Sequence, residues 1–279
     1  MRLVENVAEV YEALQTAKQP GRSFVTNFFP SRPKLESWIG RRELSLAAGE
    51  RGAFLLRRDA DFSHLYFLAA DLEGLRPSLS AFLVSEPGTI VADLLGREDE
   101  VGTMEDALAD NGFSRYARLI RVSREAASPA PAAIEPGVEH AEPADAAAIT
   151  AMLHNAFDRY AEQLPVQQEI REAAANRSIL VVRSAEAIAG LLFFEIDGLT
   201  SVLRYWLVDP GSRNQRVGAR LIRSYFASCQ SVKLFNLWVL SDNKNAMARY
   251  CNYGYAPDGL IDQVMIRRLA AAGPAQDRV

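Results

Sequence analysis

The chain has 279 residues, 49% hydrophobic and 24% charged, the composition of a folded protein with one or two cored domains. Its formal charge is −4 and the balance is even: residues 1–124 carry 16 basic and 18 acidic side chains, residues 125–279 carry 15 and 17. That excludes the broad basic surface a nucleic-acid partner needs. Two cysteines without CxxC or histidine company likewise exclude a disulfide scaffold and a zinc site.

The opening segment, MRLVENVAEVYEAL, carries Glu5, Glu9 and Glu12, too acidic for a signal or transit peptide. The longest apolar run, AIAGLLFF at 187–194, is too short to span a bilayer. Both point to a cytoplasmic location without a membrane partner. Trp38, Trp238 and the pair Phe28-Phe29 read as packing residues. DLEGLRPSLSAFL at 71–83 is a candidate loop with Gly74 and Arg76, but its Pro77 has no N–H to donate. Residues 89–123 then read strand, loop, helix, Gly112-Phe113, strand, with REDE at 97–100 as a solvated helix start.

Residues 125–136, EAASPAPAAIEP, lack periodicity and are rich in alanine and proline. They read as a semi-rigid linker between a domain of residues 1–124 and one of residues 137–279. Beyond it, VEHAEP suggests a short strand, and residues 144–157 and 165–176 two helices. Strands follow at 178–184, 187–197 and 200–208, then a helix at 217–229, a strand at 233–241, a helix at 244–252 and a strand at 261–267. This order gives a mixed α/β sheet with helices on its faces. Both halves end in strand, helix, Gly-aromatic (Gly112-Phe113 and Gly254-Tyr255) and strand, which suggests a duplication.

The stretch DPGSRNQRVGARLIRSYF at 209–226 joins a strand to an amphipathic helix marked by Leu221, Ile222, Tyr225 and Phe226. Its loop is short, basic and glycine-containing. Such a loop aims backbone N–H groups and a helix N-terminus at one point, which suits an anion such as phosphate. Arg213, Arg216 and Arg220 are candidate phosphate contacts, and Arg223 reads as a solvated helix face.

These segments resemble the GNAT N-acetyltransferase superfamily. Its loop has the form Arg/Gln-x-x-Gly-x-Gly/Ala; here Arg213, Asn214, Gln215, Arg216, Val217, Gly218 and Ala219 match it, after the usual Asp209-Pro210. Arg216 departs from the pattern, standing where the family has its first glycine. The family's second feature is matched by Asn243, Tyr250 and Gly254-Tyr255. The resemblance implies two GNAT-like domains, each a mixed, mostly antiparallel sheet flanked by helices. The N-terminal one is a degenerate copy, because Leu108 stands where the other has Tyr250. A role in shape, substrate access or pairing remains for it, and homo-oligomers are left open.

The same resemblance implies an acyl-CoA-dependent N-acyltransferase, with acetyl-CoA as cosubstrate, a small or amino-acid-like amine as acceptor, and no metal. Residues 213–219 and Arg220 would hold the diphosphate, and Asn243 the pantetheine arm. A backbone N–H near Leu207 or Val208 would polarise the thioester carbonyl, where the strand splays from its neighbour. Tyr250 would be the general acid toward the departing thiolate. Glu195 in LLFFEID is the candidate base, since it interrupts an apolar strand and a half-buried carboxylate there has its pKa raised; the other reading puts it at the strand's solvent end. His154, Tyr205 and Trp206 are weaker candidates for the acceptor side. The rival from another class is a non-catalytic CoA-binding or partner-binding module, which Arg216 favours and the intact Asn243, Tyr250 and Gly218 oppose.

Overall fold

A computed structural model gives the fold of the chain and describes residues 1–49, 52–84, 86, 88–126, 133–185, 187–212 and 215–268. Most of the expected linker (127–132), together with Arg213 and Asn214, lies outside the described residues. The chain forms two compact units, Met1–Leu119 with Gly259–Val279, and Ile120–Asp258.

In chain order the first copy comprises β1 (Arg2–Leu3), α1 (Val7–Ala17), β2 (Val25–Thr26), α2 (Arg32–Gly40), β3 (Leu44–Gly49), β4 (Gly52–Arg58), β5 (Phe62–Ala69), α3 (Leu72–Leu83), β6 (Thr89–Gly96), α4 (Glu98–Ala109) and β7 (Ser114–Glu125). The second comprises β8 (Glu139–His140), α5 (Ala146–Ala156), α6 (Gln167–Ala175), β9 (Ile179–Ser184), β10 (Ala187–Asp197), β11 (Thr200–Val208), α7 (Val217–Ser228), β12 (Leu234–Leu240), α8 (Lys244–Asn252) and β13 (Ala256–Arg268). Apart from β2, the two orders are the same. Their endings agree in detail as well. Gly112 and Gly254 both take the left-handed conformation (φ 82° and 83°) that glycine adopts without strain. After each, the aromatic N–H bonds back: Phe113 to the Leu108 carbonyl and Tyr255 to the Tyr250 carbonyl, at 3.2 and 3.1 Å. Leu108 and Tyr250 are therefore equivalent positions.

In the second unit the strand order is β8-β9-β10-β11-β12, followed by residues 120–125 of β7. β8, β9, β10 and β11 pair antiparallel in turn, and β11 runs parallel to β12. β9 opens with four consecutive buried apolar residues, Ile179, Leu180, Val181 and Val182, because helices cover both faces of the sheet. On one face lies α7, whose Val217, Leu221, Ile222, Tyr225 and Phe226 are all buried. Each such side chain contributes about 1.5–3 kcal/mol on leaving water. On the other face lie α5 and α6, packed through Ile149, Leu153 and Ile170 against Leu191, Phe193 and Tyr205.

The first unit orders β1-β3-β4-β5-β6-β13, with residues 114–119 of β7 beyond and β2 paired to β5. The terminal strand thus belongs to the first unit's sheet, antiparallel to β6 from Ile261↔Gly96 to Arg268↔Thr89. Residues 71–83 are not the loop expected from the sequence. Leu72, Leu75, Leu79 and Leu83 recur at helical spacing, and Asp71 caps the resulting α3, so Pro77 falls inside a helix. Among the described residues no helix is long and apolar enough to cross a membrane.

Candidate functional site

The site of the second unit is set by where one ladder stops. β11 and β12 run parallel and pair only from Thr200↔Leu234 to Leu203↔Leu237. β11 continues to Val208 and β12 to Leu240, so the two strands part beyond Leu203. On its other side β11 stays paired with β10 as far as Val208↔Gly190. The register slips there between Phe193↔Tyr205 and Phe194↔Leu203, leaving Arg204 as the extra residue of a bulge. Asp209 donates its N–H to the Ala189 carbonyl at 2.9 Å. By the two-residue alternation of a strand, Leu207 then turns its N–H toward β10, and Val208 turns its N–H toward the opening.

Helix α7 starts at the end of β11. Its first turn lies directly on the strand: a Cβ on Gly218 would meet Trp206 Cζ2 at 3.2 Å and Val208 Cγ2 at 3.4 Å. Any other residue here would make Trp206 and Val208 give by a few tenths of an ångström. Arg216, the N-cap, sits in the left-handed region (φ 58°, ψ 16°), a conformation that glycine adopts without strain. Its side chain is exposed, as is Gln215, while Val217 is buried and Ala219 half-buried. Arg220 and Arg223 both reach back, Arg220 donating to the Pro136 carbonyl and Arg223 pairing with Glu135 at 2.7 Å. The indole Nε1 of Trp206, buried beside Gly218, has no hydrogen-bond partner in the structure. An opened strand pair, a helix N-terminus and an orphaned donor fit an anionic, extended ligand such as a CoA thioester.

Helix α8 packs on the same cluster as Trp206. Asn243 caps it, accepting from Ala246 N–H at 3.0 Å. That leaves the amide NH2 of Asn243 as the part able to donate to a ligand. Tyr250 packs on Trp206 with ring centroids 5.8 Å apart and on Tyr255 at 6.0 Å. Burial raises its phenol above the ordinary tyrosine value, the negative charge of Glu162 raises it further, and Arg249 opposes both.

Glu162 is the residue that sequence reasoning missed. It lies in the segment between α5 and α6, which the Tyr205 hydroxyl clamps by donating to the carbonyls of Glu162 (2.8 Å) and Gln163 (3.1 Å). His154 is structural here, its Nε2 lying 3.2 Å from the Pro165 carbonyl. Burial raises the Glu162 carboxyl to about 7, with Arg204 pulling it down and Asp158 pushing it up. Glu195 lies elsewhere, exposed on β10 with Oε2 3.6 Å from Arg204 Nη1. Of the two readings of Glu195, the structure gives the one at the strand's solvent end, and a half-buried carboxylate stands at Glu162. A separate cavity of about 640 Å³, lined by His140, Arg177, Phe194 and Ser228 among others, lies at the opposite end of these strands. Among the described residues no cluster of His, Cys, Asp or Glu could hold a metal ion.

The first unit has the same parting of strands, but its own chain fills it. β5 and β6 pair only from Phe62↔Thr89 to His64↔Val91. Beyond that point the buried side chain of Asn27 donates to the carbonyls of Leu65 (3.0 Å) and Asp93 (3.1 Å) and accepts from Phe67 N–H (2.8 Å). At the N-terminus of α3 the Asp71 carboxylate accepts the Gly74 N–H at 2.6 Å and pairs with Arg22. A carboxylate of the chain already occupies the anion position, and Leu108 is fully buried.

Residues 147–255 match the model of the Acetyltransferase (GNAT) family. Among solved structures, a GCN5-related N-acetyltransferase from Sphaerobacter thermophilus is similar at 14% identity and TM-score 0.59, covering 97% of this chain and 96% of its own. A tandem GNAT protein from the clavulanic acid biosynthesis pathway matches at 13% identity and TM-score 0.56, covering 97% and 98%. An acetyltransferase of the GNAT family described for Novosphingobium aromaticivorans matches at 17% identity and TM-score 0.53, covering 83% and 94%. At these identities the likeness is one of fold, and it extends over both units. Among curated proteins none matches the sequence.

Proposed function

For a chain whose residues 147–255 match the model of the Acetyltransferase (GNAT) family, we propose that the second unit transfers an acyl group, acetyl in the simplest case, from a CoA thioester to the amine of a small molecule. The observation that carries this reading is the parting of β11 from β12 after Leu203↔Leu237, beside which Tyr250 packs on Trp206 of β11. Residues 213–219 hold the diphosphate, by N–H groups, helix dipole and the Arg213 and Arg216 charges. Arg220, engaged with Pro136, contributes only if it lets go. The Asn243 amide orients the pantetheine arm, and the Val208 N–H, rather than that of Leu207, polarises the thioester carbonyl.

Bound CoA thioester supplies the activated acyl group. The chain's own part is to hold it in the opening, keep water away with Trp206 and manage protons. Tyr250 gives its phenolic proton to the departing sulfur. Its raised pKa keeps that proton in place at every physiological pH. Arg216 in the left-handed position leaves the helix start open to a diphosphate, which supports CoA binding; Tyr250 is what favours an enzyme over a module that only binds.

Calorimetry with CoA tests the cradle, and release of free thiol from acetyl-CoA across a panel of amino acids, amino sugars, diamines and arylamines tests the transfer. Binding without thiol release on any amine would make the protein a CoA-binding module. No binding at millimolar CoA would remove the reading altogether.

A further inference from the structure

The second unit has another opening, at the far end of its strands. The cavity of about 640 Å³ lies where α6 and α7 end and where β10 runs past Phe194. Helix α7 has twelve residues, so at about 1.5 Å per residue its two ends stand roughly 18 Å apart. A small molecule in this cavity is out of reach of the helix start at Arg216.

The lining restricts what such a molecule can be. Among the described lining residues Arg177 alone carries a permanent charge. It follows α6 in a left-handed conformation, φ 57°, its N–H bonded to the Ala174 carbonyl and the Ser178 N–H to the Ala173 carbonyl, both at 2.9 Å. Glycine or asparagine would take that conformation at less cost, but neither brings a cation. His140 of β8 lines the same cavity, and its Nδ1 is buried without a hydrogen-bond partner. Burial, and then the Arg177 charge, lower its pKa below the ordinary histidine value. The orphaned nitrogen thus offers one hydrogen bond and no second charge. Phe194, Ile134 and Ile196 supply the apolar part of the wall, and Ile196 is 48% exposed. Covering such a side chain is favourable.

The helices exclude a more highly charged ligand. Both α6 and α7 reach the cavity with their C-termini, the negative ends of their dipoles. A phosphate dianion would meet one guanidinium and two such ends. A single carboxylate, planar and matched to the guanidinium fork, is the anion that one arginine holds best. We infer that this cavity is a second ligand site, for a small carboxylic acid with an apolar body: Arg177 takes the carboxylate, His140 Nδ1 a further hydrogen bond, and Phe194, Ile134 and Ile196 the apolar part. The site is independent of the CoA cradle and of the acyltransferase reading.

Calorimetry and melting of the full chain with phenylacetate, hexanoate and N-acetylleucine test this, with hexylamine and inorganic phosphate as controls. At least one acid should bind, and at about 100 times its dissociation constant it should raise the melting midpoint by about 5–10 °C. Hexylamine and phosphate should do neither. Arg177→Asn, which tolerates the left-handed conformation, should weaken the acid roughly 10- to 150-fold. Gln230→Trp, a ring added at an exposed position of the lining, should block the acid while the protein melts as before. Saturating CoA should leave the acid's affinity unchanged. If no acid binds at millimolar concentration, there is no such site. An acid that binds Arg177→Asn as tightly as the wild type, or that CoA displaces, sits elsewhere and overturns the assignment. Phosphate binding as tightly as the acids would overturn the choice of a carboxylate.

Discussion

Replacing Arg216 by glycine should move stability and ligand affinity in opposite directions. Arg216 holds φ 58° and ψ 16° at the start of α7 without a side-chain cap. For an L-residue that conformation costs roughly 1–2 kcal/mol. Glycine removes the strain but adds about 0.4–1 kcal/mol of unfolded-state freedom, so the variant should gain up to about 1 kcal/mol. For units of this size that raises the melting midpoint by about 2–4 °C. The same change removes an exposed guanidinium from the proposed diphosphate site. A hydrogen bond to a charged group is worth about 1.5–3 kcal/mol, so the CoA dissociation constant should rise roughly 10- to 150-fold. Differential scanning calorimetry and CoA titration on the same preparation read both. A variant that melts lower refutes the strain argument. One that melts higher but binds CoA equally well means the backbone alone holds the diphosphate.

Further outcomes follow from the same geometry. Tyr250→Phe keeps the ring packed on Trp206, so CoA affinity should hold while turnover drops about 10²–10⁴-fold; unchanged turnover would make Tyr250 a packing residue. Because its phenol lies above the ordinary value, the wild type should show no alkaline limb from Tyr250 below about pH 10. CoA should bind at one molecule per chain, since Asn27 and Asp71 fill the first unit's opening and anion position; a stoichiometry of two by calorimetry would contradict that. Glu162, raised from 4.5 to about 7 in the fold, favours the folded state fully below pH 4.5 and loses that contribution as pH climbs through 7. Glu162→Gln should therefore match the wild type at about pH 4 and exceed it by about 2–3 kcal/mol at pH 8.5 in urea unfolding; equal stability at both pH values would place Glu162 in water.

The helical and strand periods of the second copy are strong in the sequence, and β10, β11 and α8 lie where those periods put them. Each is an unbroken apolar or amphipathic run whose neighbours in space are also neighbours in sequence. Residues 71–83 misled because Gly74 and Pro77 are turn residues in isolation; the four leucines and the Asp71 cap outweigh them. Glu162 left no local mark, as Tyr205, whose hydroxyl holds its carbonyl, lies 43 residues away. Glu195 did leave one, an acid in an apolar strand, yet its exposure depends on which end of β10 the helices cover. Asn27 in the first unit was equally silent, because its partners lie 38 to 66 residues off.

The place of β13 bears on how the chain is made. Residues 261–268 pair with residues 89–96, a separation of 165 residues at one end of the ladder and 179 at the other. On the ribosome, β6 emerges early and waits for its partner while residues 120–258 are added. At ~5–20 residues per second the delay is roughly 10–30 s, a long time for an unpaired strand edge among other nascent chains. The first unit to be synthesised is thus the last to be completed. Its native state can close only after residues 261–268 have left the exit tunnel, so emergence of that strand, not of residue 119, starts its final folding step.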